Sequence, residues 1–451
     1  MNSTKVTYAR RLGLFSGTMV VIGGIIGAGI FRNPAEVAAR VVTPSLTLLV
    51  WVIGGIIALI GAFCYGELGA RNPQAGGGYV YLRDAFGELP AFLYAWSLLL
   101  IIATGAIAGV AVTFANYTVA LFGLPETSTV PLAIGAILLL STINYLGVKP
   151  GAITQNIFTI LKLVPLIVLI VAGLFLTGAT GPVVSTSSLP APSGAVGIVV
   201  AIGWALVPIL FSYGGWQQAN FIGEEIIDAP RNLPRAILLG VITVVAVYLL
   251  ANVAYLRTLG VDGLARSTAP AADAMRLTLG PVGGTLIAAG IAVSTFGFLN
   301  LVILVSPRVY QTMANDGLFF PQIARLHPKY RTPTAAIIFQ AAWAVMLTLT
   351  RTYGSLVDYV VFGDWIFFGL TAATLYVFRA RDRARGVDPA PRGRFSAIGY
   401  PVTPALFVLA AAYVVISSIW SNPGNAIKGA GLIALGVPVF LFWKSRRPVG
   451  G

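Results

Sequence analysis

"VIGGIIGAGIF", residues 21–31, carries four glycines, Gly23, Gly24, Gly27 and Gly29, inside the first long apolar stretch of the chain. Each glycine in a helix interior costs roughly 1 kcal/mol relative to alanine. Two explanations compete. Small residues let helices pack closely, and Gly23 with Gly27 has the small-xxx-small spacing of such a contact. Alternatively, the helix is interrupted at Gly27-Ala28-Gly29 and its broken backbone lines a cavity.

The composition fixes the solvent. The chain has 451 residues, 57% hydrophobic and 10% charged, where a soluble domain carries about 25% charged residues. Its mean hydropathy is +0.86. These values describe an integral membrane protein. The net charge of +14 does not point to nucleic acid. The basic residues stand at the ends of apolar runs, as topological signals do, rather than in a patch interleaved with aromatics. One cysteine, Cys64, allows no intrachain disulfide and no zinc site. The one histidine, His327, sits in a polar loop and reads as solvated. No metal or cofactor is expected. So few nucleophiles and acid/base groups also argue against a membrane-embedded enzyme. The first apolar stretch is too long for a signal-peptide core, so no cleavage is expected.

A helix crossing about 30 Å of hydrocarbon needs roughly 20 apolar residues. Twelve such runs are found, near residues 12–40, 44–71, 86–122, 129–147, 152–177, 195–227, 231–258, 280–313, 332–351, 355–380, 401–421 and 424–444. They lack the period-2 alternation of a barrel, so an all-α fold of twelve transmembrane helices is expected. With the N-terminus in the cytoplasm, 21 lysines and arginines fall inside and 6 outside, leaving Arg32 and Lys162 within runs. Both termini are therefore expected in the cytoplasm. Residues 178–194, uncharged and rich in serine and proline, read as an external loop. Residues 261–279 read as a short amphipathic helix on the outer surface, and 379–395 as a basic cytoplasmic loop. No soluble domain is evident.

The sixth run repeats the opening puzzle. In "FSYGGWQQANFIGEE", residues 211–225, Gly214 and Gly215 fall mid-membrane among Ser212, Tyr213, Gln217, Gln218 and Asn220. Interrupted helices at positions one and six are what two inverted repeats of five helices would give. The recurrence favours a break at Gly27-Ala28-Gly29, while Gly23 and Gly24 stay open to packing. A break exposes amides at the positive end of one half-helix and carbonyls at the negative end of the other. A zwitterionic α-amino acid needs both.

At these residues the sequence resembles the L-type amino acid transporter family, within the amino acid–polyamine–organocation superfamily. The motifs are "GAGIFRNP" (27–34), "YGELGARNPQAGGGYVYL" (65–82), "ILKLVPLIVLIVAGL" (160–174) and "FSYGGWQQANFIGEEIIDAPRNLPRAI" (211–237). "STFGFLN" (294–300) and "SPRVYQTMANDGLFFPQIARLHPKYRTP" (306–333) complete them. The resemblance covers nearly the whole chain, and a prokaryotic member is expected. It implies one transport domain over residues 1–451 with the leucine-transporter-like fold. Repeat one would span about 12–177, repeat two about 195–380, and two extra helices about 401–444. It also implies alternating access around a midplane amino acid. The amides of Gly27, Ala28 and Gly29 would hold the carboxylate. Carbonyls of Ile25, Phe211, Ser212 and Gly214 would hold the ammonium, and Phe211 would close the site from outside. Side-chain walls would include Thr104 and Gly105, Phe296 and Phe298, and Phe362, Asp364 and Trp365.

Three departures stand out. Ala28 replaces a frequent serine, so carboxylate binding would rest on backbone alone. Gln217 replaces a frequent asparagine. The loop 123–129, "GLPETST", lacks the cysteine through which human relatives join a glycoprotein heavy chain, so no disulfide-linked heavy chain is expected.

A lysine at the bilayer centre costs about 2.5–3.5 kcal/mol on insertion scales, which makes Lys162 a functional candidate. The family resemblance implies a fixed charge replacing sodium and bonded to carbonyls near Ile22–Gly23; a proton carrier and a snorkelling side chain are the other open readings. Asp364, where many relatives have asparagine, either tunes selectivity or coupling or is a structural aspartate. Glu67 and Glu225 read as inner-gate residues with Arg231 or Arg308, or as solvated helix ends. Arg32 lines an outer vestibule or snorkels. The expected activity is sodium-independent exchange of neutral L-amino acids across the cell membrane. Proton symport is the alternative within the class, and a receptor or channel on the same fold the alternative outside it.

Overall fold

A computed structural model describes residues 6–176, 194–350, 353–391, 393–421 and 423–447, without the side chains of 353–362. The serine- and proline-rich loop expected at 178–194 lies outside the described residues except for Gly194. The described chain is helical throughout, with one isolated parallel bridge between Leu12 and Ile226.

The first run is two helices, α1 (Leu14–Ile25) and α2 (Gly29–Val41), bent by 44° across the intervening residues. Then come α3 (Pro44–Arg71), α4 (Gly78–Phe86) and α5 (Glu88–Ser97), which passes through a π-helical turn (Leu98–Ile102) into α6 (Ala103–Phe122). Next are α7 (Thr129–Tyr145), α8 (Val148–Val171) and α9 (Gly194–Ser212). After α9 the chain unwinds at Tyr213–Gly215 and resumes as a 3-10 helix, Trp216–Glu225. The second half holds α10 (Ala229–Arg266), α11 (Pro270–Leu279), α12 (Pro281–Val305), α13 (Pro307–Asn315), α14 (Thr334–Thr350) and α15 (Tyr353–Ala384). It closes with α16 (Val402–Ser421), α17 (Pro423–Ala434) and α18 (Gly436–Ser445).

Among the described residues, nine helical stretches are long and apolar enough to cross a membrane, and ten if the bent pair is one span. α14, apolar but 17 residues long, and α15 occupy the places of the ninth and tenth expected runs. Length and composition alone thus stop short of the expected twelve. The amphipathic helix expected over 261–279 is shorter: α10 continues to Arg266 across a kink at Gly260, and only Pro270–Leu279 forms a separate helix.

Prolines inside two helices free carbonyls that side chains then claim. A proline leaves the carbonyl four residues earlier without its usual donor. Pro34 frees Ile30, whose oxygen accepts from the Tyr255 hydroxyl at 3.2 Å. Pro208 frees Trp204, whose oxygen accepts from Arg40 at 2.6 Å. In lipid such accounting is compulsory.

The first and last described residues lie at one end of the bundle. Tyr8 donates to Gln311 at 3.2 Å, and Arg447 pairs with Glu88 at 2.6 Å. The segment around Leu12 runs beside Ile226, with Arg11 and Leu12 amides donating to the Glu225 carbonyl at 2.9 and 3.0 Å.

Candidate functional site

The breaks in α1/α2 and after α9 meet in the middle of the bundle. Gly24 and Gly215 touch backbone to backbone: a Cβ on Gly24 would lie 2.7 Å from the Gly215 oxygen. Gly215 has φ +110°, a conformation that favours glycine. A Cβ on Gly23 would strike the Gln155 and Thr159 side chains. Gly23, Gly24 and Gly215 are therefore packing glycines. Gly27 differs, since a Cβ there would meet only Phe298, at 4.0 Å. It faces open space.

That space is a cavity of about 550 Å³, within the range of small-molecule sites. Ile25, Gly27, Ala28, Gly29, Phe211, Ser212, Gly214, Gln217, Asp364 and Trp365 line it, as does Phe298. The side chain of Phe362 lies outside the described residues. Two expected wall residues are elsewhere. Thr104 is fully buried, with its hydroxyl donating to the Leu99 carbonyl at 2.6 Å. Phe296 points away and packs between Phe114 and Phe158, at ring distances of 5.0 and 4.7 Å. Gly105 is absent from the wall as well; Ile102, Ala106, Gly109 and Thr113 supply that face instead.

The broken ends are electrically distinct. α2 begins at Gly29 and turns its positive dipole end toward the cavity; the Phe31 amide donates to the Ala28 carbonyl at 3.2 Å, and the amides before it have no intrahelical acceptor. The carbonyls ending α1 are claimed. Lys162, fully buried, donates to Gly23 and Ile26 at 3.0 and 2.8 Å. Tyr248 donates to Ile25 at 3.1 Å. The Ile25 oxygen thus keeps one lone pair for a ligand, not two. At the second break, the Gln217 side-chain oxygen accepts from the Gly215 amide at 3.0 Å. Asn33 ties the two halves together, donating to the Pro208 carbonyl at 3.0 Å and the Ser212 hydroxyl at 2.8 Å.

The cavity is open at the end away from the termini, where Arg32 and Phe211 are exposed, Phe211 by 46%. The other end is sealed by buried Tyr94, Phe221, Val302 and Ser306. Beneath them Arg308 and Glu225 form a fully buried pair at 2.9 Å, and Arg308 also donates to the Leu304 carbonyl. Glu67 is not a solvated helix end. Its carboxylate accepts from Arg71 at 2.7 Å, Arg379 at 2.6 Å and the Ala397 amide at 2.7 Å. Arg231 takes no part; it lies 3.9 Å from exposed Asp228. Among the described residues no cluster of His, Cys, Asp and Glu could hold a metal ion.

A broken-helix pair around one central cavity, on an all-helical membrane frame, narrows the possible families sharply. The amino acid permease family model matches residues 12–442. The chain belongs to the amino acid permease family. Its relatives include the mouse "large neutral amino acids transporter small subunit 2", 32% identical over 98% of this chain and 83% of that protein. The human protein of the same name is 32% identical over 98% and 82%. The human "b(0,+)-type amino acid transporter 1" is 33% identical over 92% and 83%. All three are mammalian and lend no support to the prokaryotic origin expected from the sequence.

Besides the wall residues Ile102, Ala106, Gly109 and Thr113 of this permease's site, sequence reading missed Tyr248, Tyr255, Asn33 and Ser294, which hold the backbone around the breaks. Ser294 reaches the Ile26 carbonyl at 3.5 Å. A signal existed for Tyr255, since Pro34 announces an orphan carbonyl at Ile30. Nothing in the sequence announces which tyrosine reaches Ile25.

Proposed function

We propose that this permease is a sodium-independent exchanger of neutral L-amino acids, working by alternating access across the cell membrane. The observation that carries the reading is the pair of facing breaks on one cavity, with free amides at Gly27–Gly29 beside carbonyls of the opposite half-helices. That arrangement offers donors to a carboxylate and acceptors to an ammonium. The relatives' names, amino acid transporters in each case, support it. Lys162 occupies the α1 carbonyls that a coupling cation would need, which supports sodium independence. The carboxylate is held by backbone amides of Gly27, Ala28 and Gly29. The ammonium is held by carbonyls of Ile25, Phe211, Ser212 and Gly214, and Phe211 swings over the mouth.

The same reading orders the chain as one transport domain. Repeats of about 12–177 and 195–380 are related by inversion, and helices about 401–444 are added. The sealed end faces the cytoplasm with both termini, supported by its arginine-rich networks. Glu225–Arg308 and Glu67–Arg379 act as inner gates. No disulfide-linked heavy chain is required, because the sole cysteine, Cys64, is buried inside α3.

The test is uptake of labelled leucine into proteoliposomes, with and without internal leucine. Exchange predicts uptake that needs internal substrate and ignores sodium and pH gradients. Uptake driven by a pH gradient into empty vesicles would replace exchange by proton symport. Unsaturable flux would replace it by a channel, and binding without flux by a receptor.

A further inference from the structure

The inner seal of the cavity is supported from outside the site. Phe221, one of the sealing residues, has its carbonyl held by the Gly76 amide at 3.0 Å. Gly76 belongs to the turn 72–77 between α3 and α4. The same turn touches the 3-10 segment at two further points. A Cβ on Gly77 would lie 2.9 Å from the Asn220 backbone, and a Cβ on Gly223 would lie 2.7 Å from the Pro73 oxygen. Tyr81 of α4 adds a hydrogen bond to the Asn220 side chain at 3.0 Å. Phe221 is thus tied to the α3–α4 turn, and withdrawing it pulls on that turn.

What braces the turn comes from much later in the chain. α3 and α4 end at Arg71 and Phe86, and the last carbonyls of a helix lack intrahelical donors. Two arginines supply them. Arg394 donates to the Ala70 and Arg71 carbonyls at 3.3 and 3.2 Å. Arg381, near the end of α15, donates to the Asp84 and Ala85 carbonyls at 2.5 and 3.2 Å. Both cations sit at the negative end of a helix dipole, where they are stabilising.

The segment that carries Arg394 is itself seated. A Cβ on Gly66 would lie 3.0 Å from the Phe395 ring, so Phe395 packs directly against the backbone of α3. The Ala397 amide donates to Glu67 at 2.7 Å. The Arg379 guanidinium stands 4.0 Å from the Tyr400 ring centroid, within cation–π range. The Tyr376 hydroxyl donates to the Pro401 carbonyl at 2.7 Å. The inner contacts of this seat, Glu67 with Arg379, are buried, whereas Arg381 and Arg394 are exposed. Exposed polar contacts contribute little each, so the two caps can let go while the buried pair keeps the fold.

We propose that residues 394–401, together with Arg381, form a strap that holds the α3–α4 turn against Phe221 and lets go before substrate leaves by the sealed end. The proposal rests on the transporter reading above and names what governs its inner opening. Arg381 and Arg394 are positioning residues, since neither lines the cavity.

The experiment uses the full-length protein carrying Cys64→Ala, so that every thiol is an introduced one. Ala75→Cys, buried in the turn and outside the cavity wall, reports opening at the sealed end. Thr113→Cys, on the cavity wall, reports opening at the mouth. Each reporter is labelled with a maleimide in detergent, with and without Arg381→Gln and Arg394→Gln. Each Gln substitution should speed labelling at position 75 about threefold, and the two together about tenfold, the scale of exposed contacts that add. Labelling at position 113 should fall as the mouth closes more often. Faster labelling at both positions would mean a loosened fold, and unchanged labelling at position 75 an idle loop; either result overturns the strap. A locked strap gives the converse. Gly66→Cys with Phe395→Cys, bridged by a short reversible thiol cross-linker, should stop leucine exchange in proteoliposomes, and reductant should restore it. Exchange that continues in the bridged protein also overturns the strap. If the bridged pair fails to insert, the two labelling rates decide alone. Absence of leucine flux in the wild type would overturn the transporter reading, whereas the labelling rates judge the strap separately.

Discussion

The two broken helices look alike in sequence and are finished differently. In the first, between α1 and α2, the carbonyl side is filled by other helices: Lys162 on Gly23 and Ile26, Tyr248 on Ile25, Ser294 on Ile26. Its amide side is left bare toward the cavity. The second, after α9, is finished by its own chain. Gln217 folds back on the Gly215 amide, and the chain goes on as a 3-10 helix. One break is a socket whose bare amides suit an anion under the proposed function; the other is a self-capped turn that closes the socket's wall. The contrast teaches that a glycine pair marks where a helix stops, and the neighbours of the freed groups decide what the stop is for.

The sharpest way to break this comparison is to remove the ammonium that fills the first break. Lys162→Met strands the buried Gly23 carbonyl and leaves Ile26 only the long Ser294 contact at 3.5 Å; an unsatisfied buried carbonyl costs about 1–3 kcal/mol. The end of α1 should lose its fixed geometry, and exchange should fall at least about a hundredfold, a factor equivalent to about 2.7 kcal/mol. Exchange above a tenth of wild type, measured in proteoliposomes at equal insertion, would mean the socket keeps its shape without a cation.

The next effect separates packing glycine from cavity glycine. Gly215→Ala places a methyl group at φ +110° against the Gly24 backbone, which cannot move aside as a side chain could. Alanine at positive φ costs more than about 1 kcal/mol before any clash. The variant should melt several degrees lower in detergent and lose exchange with its fold. Gly27→Ala meets open space, so its melting temperature should match wild type, while leucine affinity drops roughly tenfold, or about 1.4 kcal/mol, as the methyl enters the cavity. Equal melting temperatures for the two variants would erase the distinction. Gly29→Val sits between them, since its added carbons meet the Ser212 hydroxyl, 2.9 Å from the first Cβ.

How much of this was legible beforehand depended on whether the signal was local. Glycine pairs inside apolar runs are local, and both breaks were readable from residues 27–29 and 214–215. A lysine in lipid must find acceptors, so its depth marks Lys162 as a candidate; that the acceptors are carbonyls of α1 was implied by the family resemblance and not by depth. Helix faces were less legible. Thr104 was expected on the wall, yet the π-helical turn at Leu98–Ile102 advances the chain by one extra residue per turn. That shift moves each later side chain by about 100° around the axis, and Thr104 ends up inside the protein. Phe296 failed by one position, because α12 shows the cavity Thr295, Phe298 and Val302. The partners of Glu67 were also hidden. Arg379 lies 312 residues away in the chain, and only the closed bundle brings it there.

The smallest effect tests the claim that the first break's carbonyls are held by more than one donor. Tyr248→Phe removes the hydroxyl from Ile25 while leaving the ring packed against Trp51 and Tyr213, at centroid distances of 5.8 and 5.2 Å. One hydrogen bond of this kind is worth about 1 kcal/mol, or roughly fivefold. The Ile25 oxygen then has both lone pairs available, so a substrate ammonium gains an acceptor as the scaffold loses a strut. The two effects oppose, and leucine KM should move by less than about fivefold in either direction, with Lys162 still fixing Gly23 and Ile26. A loss approaching that of Lys162→Met would show that the socket depends on the phenol as much as on the ammonium, and that the two donors act as one unit rather than as anchor and trim.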